Sequence, residues 1–182
     1  MCLCVVSTLY AQEKNKFIFG GTVSADIGRF NDRFEITPTV HKKVFPKFYL
    51  GLGATLAYYK QESTGYIFDN QNSEVTEYDI KTKTTYYGGN LFARYFPFEK
   101  KNNFFQNIYL QTEFEYLKGN GKYKDATGNY TFKTDNKTIF TDLGYKQLIG
   151  NKFALNVNLL FKLNNESDSP YRNPIIRIGF EF

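Results

Sequence analysis

The chain has 182 residues and a formal net charge of +5, with 19 Phe, 15 Tyr, no Trp, two Cys and one His. That length suits one domain with a sizeable interior. A mean hydropathy of −0.46, with no run near the ~20 apolar residues of a membrane helix, excludes a helical span, and the scattered lysines form no basic stripe of the kind that nucleic acid recognises.

The first residues, MCLCVVSTLYAQ, form a short apolar stretch followed by a polar run. They have the look of a secretory signal cut after Ala11, although the basic leading region is missing and Leu9 is larger than the usual small residue. Residues 1–11 are therefore read as the remnant of a signal peptide and residues 12–182 as one barrel domain. Cys2 and Cys4 both fall in the signal, so the mature chain would have no disulfide and no thiol chemistry.

Eight alternating segments follow. The first, residues 17–27, sets Phe17, Phe19, Val23 and Ala25 against Gly20, Thr22, Ser24 and Asp26. The second, residues 34–41, opposes Phe34, Ile36 and Val40 to Glu35, Thr37 and His41, and Pro38 within it predicts a bulge or a local break. The third, residues 48–59, is apolar at Phe48, Leu50, Leu52 and Leu56, and a long polar loop is expected over residues 60–83. The fourth (85–96) and fifth (107–117) place Arg94, Glu113 and Glu115 opposite apolar rows. A second long polar stretch over residues 118–136 can extend as strand at its ends, and its Gly128-Asn129 between alternating flanks signals a hairpin. The sixth (138–148) is the least regular, and Gly150-Asn151 after it signals a hairpin. The seventh covers residues 153–162.

The eighth segment, residues 173–182, alternates without a break. Ile176, Ile178, Phe180 and Phe182 share one face; Arg177, Gly179 and Glu181 share the other. Each segment is close to the ~9–11 residues that cross a bilayer at barrel tilt. Long links alternate with short ones, as when turns on one side of a membrane alternate with loops on the other. The fold expected is an all-β, eight-stranded antiparallel up-and-down transmembrane β-barrel. A soluble, lipocalin-like binder of an apolar ligand is the alternative, and it would turn every face the other way.

The stretches FEITPTV (34–40), FYLGLGATLAYY (48–59), LFARYFPF (91–98) and IIRIGFEF (175–182) resemble the small eight-stranded outer-membrane β-barrel proteins of Gram-negative bacteria. These are the OmpA/OmpW-like, porin-type barrels, and the Bacteroidetes version is the nearest in pattern. The resemblance implies a monomer in the outer membrane, in contact with its lipid. It also implies that Ile176, Ile178, Phe180 and Phe182 form the signal read by the barrel-assembly machinery.

With apolar faces outward, Asp26, Glu35, Glu113, Glu115, Asp142 and Glu181 share the lumen with Arg94, Lys146, Lys162 and Arg177. An eight-stranded barrel is just wide enough for its own side chains, so these charges must pair. Arg177 with Glu181, and Arg94 with Glu113 or Glu115, are the expected partners, and a plugged lumen is expected over a narrow pore for ions or small solutes. No nucleophile stands beside the lone His41, which is read as a solvated turn residue. No metal set and no cofactor fingerprint is present: Gly51-Leu52-Gly53 lacks both the third glycine and a following helix. The acidic residues Asp69, Glu74, Glu77 and Asp79 match no calcium loop. The function expected is therefore non-enzymatic: structural, or binding an external ligand through the two long loops, where Tyr66, Phe68, Tyr123, Tyr130 and Phe132 offer aromatic surface.

Overall fold

The computed structural model describes residues 16–27, 31–69, 74–98, 104–125, 127–150, 153–164, 171 and 173–182. The expected signal segment lies outside them, as do the side chains of Phe68, Asp69 and Glu74. Eight antiparallel strands close into a barrel in chain order. They are β1 (Phe17–Ile27), β2 (Asn31–Phe45), β3 (Phe48–Asp69), β4 (Glu74–Tyr95), β5 (Ile108–Lys124), β6 (Asn129–Ile149), β7 (Phe153–Lys162) and β8 (Ile175–Glu181). One turn of 3-10 helix, Phe104–Asn107, leads into β5.

Alternation decides which way the wall faces. Successive side chains point to opposite sides of a strand, and here the apolar set points out on every strand: Phe19, Ile36, Leu52, Leu91, Leu110, Leu143, Val157 and Ile178 are all exposed. The opposite set, with Glu35, Arg94, Glu113, Asn156 and Arg177, is buried. A soluble barrel would carry the reverse.

Of the stretches expected as long loops, residues 60–69 and 74–83 are strand instead, and the hairpin signalled by Gly128-Asn129 forms with residues 118–124 and 129–136 in its two arms. β3 and β4 pair from Phe48↔Tyr95 to Asp69↔Glu74 in one register, and β5 and β6 pair from Ile108↔Tyr145 to Lys124↔Asn129. The alternation persists there with polar residues on both faces, so hydropathy loses the signal while the ladder continues. On either side the neighbours stop early: β2 reaches only Gln61 of β3, and β7 reaches only Phe140 of β6. The upper parts of β3, β4, β5 and β6 therefore project as a sheet beyond the rest of the wall.

β2 is longer than expected at both ends, because Asn31, Asp32 and Arg33 at one end and Lys42, Lys43 and Phe45 at the other stay in the ladder with β3. The chain then turns at Pro46-Lys47, with Lys47 at φ 66°. Pro38 interrupts the β2–β3 pairing between Ile36↔Leu56 and Thr39↔Gly53 without changing the register. The register shift lies elsewhere, between Lys43 and Phe45. The break fits a residue with no N–H to give.

The β1–β8 seam is the shortest in the barrel, four pairs from Gly20↔Glu181 to Val23↔Ile178. Two further backbone bonds join Phe19 and Phe182, at 3.2 and 2.9 Å.

Candidate functional site

The lumen is filled by three layers of charge. In the layer nearest the Phe19–Phe182 end, Glu181 of β8 accepts hydrogen bonds from Arg94 of β4 and Lys146 of β6, and from the Asn156 amide at 2.9 Å. Arg94 also donates to Gln111 at 2.9 Å and lies 4.2 Å from the Tyr109 ring centre. His41 belongs to this layer. It is 3% exposed, its Nε2 is 3.6 Å from Glu181, and its ring meets those of Tyr49 and Phe92 edge-on. The expected solvated turn histidine is thus a lumen residue, because β2 runs past it.

In the middle layer Arg177 of β8 reaches three carboxylates: Glu35 and Glu113 at 2.9 Å each and Glu115 at 3.8 Å. Glu113 also accepts from the Asn90 amide at 2.8 Å, and Gln111 donates to Asp142 at 3.0 Å. In the third layer Arg33 bonds Glu35 at 3.0 Å and Ser24 at 2.8 Å. Tyr171, which comes from the link between β7 and β8, covers this layer. Its hydroxyl lies within hydrogen-bond distance of both Glu35, at 3.0 Å, and Glu115, and its ring lies 4.3 Å from the Arg33 guanidinium. Between the lower and middle layers, among Thr39, Asn90, Arg94, Glu113, Arg177 and Glu181, the void is about 10 Å³, room for at most one water.

Of the ten charges expected inside, Glu35, Arg94, Glu113, Glu115, Asp142, Arg177 and Glu181 are buried, and Lys146 reaches in with 22% of its side chain exposed. Asp26 does not join them. It is exposed, beyond the last β1–β8 pair. Lys162 is half-buried at the rim, where its backbone N–H and C=O bond the Asn173 side chain at 2.6 and 2.9 Å.

The expected pairings are exchanged. Arg177 and Glu181 share a strand face four residues apart, ~13 Å at ~3.3 Å per residue, so each finds partners across the narrow lumen instead. Arg33 and Tyr171 were missed, and His41, although placed on the face of Glu35, reads as a solvated turn residue when the segment ends there. Arg33 has the parity of Glu35, and carrying the alternation one residue before Phe34 would have found it, as carrying it past His41 would have put that ring in the lumen. Tyr171 lies in a link where periodicity has no meaning.

The projecting sheet has two different faces. Its outward face carries Lys60, Lys81, Lys83, Lys118, Lys122 and Lys124 among Glu62, Glu77 and Asp79. Tyr66 is on that face and exposed. Tyr78, Tyr123, Tyr130 and Phe132 continue the parity of the lumen. The Tyr123 and Tyr130 rings are 6.2 Å apart, and a Cβ on Gly121 or Gly65 would strike the rings of Phe132 or Tyr78. At the β5–β6 tip, Asp125 accepts from the Thr127 hydroxyl at 2.6 Å and from the Thr127 and Gly128 amides at 2.8 and 3.0 Å. The hydroxyl first, and then the amides, hold the Asp125 carboxyl below its usual range.

No protein-family model matches the chain, and no curated protein matches it. Solved structures do. CarO of Acinetobacter baumannii is 12% identical with a TM-score of 0.46, over 93% of this chain and 98% of that one. Ail of Yersinia pestis, solved with the heparin analogue sucrose octasulfate, is 8% identical with a TM-score of 0.40, over 91% and 92%. The N-terminal β-barrel domain of OprF from Pseudomonas aeruginosa is 8% identical with a TM-score of 0.41, over 91% and 96%.

Proposed function

We propose that this chain is a non-enzymatic outer-membrane β-barrel whose lumen is closed and whose projecting sheet is its working surface. The observation that carries the reading is the inverted polarity of the wall: large apolar side chains are exposed on all eight strands around a charged, packed interior. Water on the outside would leave that band uncovered, and contiguous apolar patches of such extent mark a lipid or protein contact. On β3 the band runs from Phe48 to Tyr58, eleven residues and ten steps along the strand. That is ~34 Å along the strand and roughly 25 Å along the membrane normal at barrel tilt, the height of a lipid-facing band. Aromatics stand at both limits, with Phe45, Phe48, Tyr95, Phe104, Phe153 and Phe182 at one and Tyr58, Tyr87 and Tyr116 at the other, where interfacial rings belong.

The cross-lumen ion pairs and the void of about 10 Å³ support a plug over a pore. His41 faces a carboxylate and two aromatic rings, which supports the non-enzymatic reading. The chain would work as a monomer in contact with outer-membrane lipid and without a cofactor. The outward row Ile176, Ile178, Phe180 and Phe182 would be what the assembly machinery reads, and replacing Phe182 with serine should slow the appearance of folded barrel in cells.

Two measurements test the function. The detergent-extracted protein should migrate faster unheated than boiled; solubility without detergent would reverse the assignment of faces. In planar bilayers it should show no steady conductance, and a stable, ion-selective current would replace the plug with a channel.

A further inference from the structure

The outward face of the projecting sheet begins where the apolar band ends, and it begins with lysine. Lys60 is two residues past Tyr58, Lys118 two past Tyr116, Lys137 two above Ile139 and Lys83 four above Tyr87, all on the outward parity. The register then sets like charges side by side: Lys60 opposite Lys83, Lys83 opposite Lys122, and Lys81 opposite Lys124. Like charges directly opposite one another destabilise a sheet, and strand pairing by itself asks for none of them. Carboxylates answer part of this: Glu62 is 3.1 Å from Lys60 and 3.9 Å from Lys81, Asp32 is 3.9 Å from Lys60, Asp79 is 3.9 Å from Lys81, and Asp135 stands opposite Lys118 in the register. Among the described residues no carboxylate stands at ion-pair distance from Lys83, Lys118, Lys122 or Lys124.

We propose that this face docks on the phosphate-bearing headgroups of the lipid leaflet around the barrel, the phosphates sitting between lysines of adjacent strands. The inference rests on the membrane reading above. Position selects the occupant: acyl chains covering the band up to Tyr58, Tyr87 and Tyr116 place their headgroups beside the residues that come next on the same outer wall. Geometry agrees, since strands ~4.8 Å apart let one phosphate touch two ammonium groups. Lysine suits the place because its stem lies along apolar surface while its charge stays in the headgroup layer.

The test refolds the full chain into vesicles of phosphatidylcholine alone and of phosphatidylcholine with diphosphorylated lipid A, then reads the retained lipid by native mass spectrometry. Wild type is compared with Lys60→Gln/Lys83→Gln/Lys118→Gln/Lys122→Gln, both first shown to be folded by heat-modifiable migration. Wild type should retain the diphosphorylated lipid preferentially, with the preference falling about fivefold per lysine removed at low salt and shrinking as sodium chloride rises. Equal retention by wild type and variant overturns the proposal. So does competition by millimolar inorganic phosphate as effective as that by lipid, which would make the face a general anion site. A wild type that never enters vesicles sinks the membrane reading, and this inference with it. Should the quadruple variant not fold, Lys83→Gln alone and the salt dependence of wild type carry the same comparison.

Discussion

Arg177 is the residue on which the lumen depends most. It is 2% exposed and answers carboxylates from β2 and β5 together. Removing one partner from a buried ion network leaves the others uncompensated, at a cost of about 3–5 kcal/mol. Arg177→Ala should therefore lower the unfolding midpoint of the detergent-solubilised barrel sharply, while Asp26→Ala, at the rim, should leave it nearly unchanged. Equal effects would mean that the layers are not ionised as drawn. Asp125 makes a smaller, pH-dependent contribution at the β5–β6 tip. Its carboxyl is depressed in the folded hairpin, so the stabilisation is fully present above the carboxyl's unfolded pKa and is lost as pH falls through its lower, folded value. An NMR titration should find Asp125 protonating below the ordinary aspartate range and the Thr127 amide shifting with it; Asp125→Asn should remove both signals.

At the scale of elements, two asparagines stand in for missing ladder partners where strands end unevenly. The Asn164 side chain bonds the Ile139 amide at 3.0 Å and the Lys137 carbonyl at 2.5 Å, extending the β6–β7 edge. Asn173 does the same for Lys162 of β7. Each replaces two backbone bonds with one amide, using the two-donor, two-acceptor end of that side chain. Asn173→Ala should cost about 1–2 kcal/mol, counting two net hydrogen bonds, and should speed hydrogen exchange at the Lys162 amide. These caps were illegible in the sequence, since Asn in a link reads as a turn former. The strands themselves were legible wherever one face was apolar, as in Phe153, Leu155, Val157 and Phe161 of β7. They were lost where both faces were polar. Over residues 60–69 and 74–83 pairing holds the chain extended without any hydrophobic contrast, and composition alone reads such a stretch as loop. Between β5 and β6 the Gly128-Asn129 turn with alternating flanks made the hairpin legible.

For the whole molecule, the polarity of the wall could be read from alternation, but the layout of the lumen could not. Parity says that Glu113 and Arg177 face inward. Which of them meet depends on the stagger of eight strands around a closed ring, a quantity absent from any single segment. The projecting sheet is separable from that interior, because among the described residues the lumen ion pairs involve none between 62 and 80. Replacing residues 63–80 with a short turn should leave heat-modifiable migration intact; its loss would show that the sheet supports the barrel.

The two charges that β8 carries have a consequence for how the barrel comes together. Before β8 docks, the middle layer holds Glu35, Glu113 and Glu115 without the cation that joins them, and the lower layer holds Arg94 and Lys146 without their shared anion. A single strand delivers both missing counter-ions, of opposite sign and four residues apart, Arg177 to one layer and Glu181 to the other. A seven-stranded intermediate is therefore electrically frustrated at two depths with opposite polarity. Ring closure relieves both at once, so insertion of the last strand should behave as a cooperative latch rather than a gradual zipping of the seam.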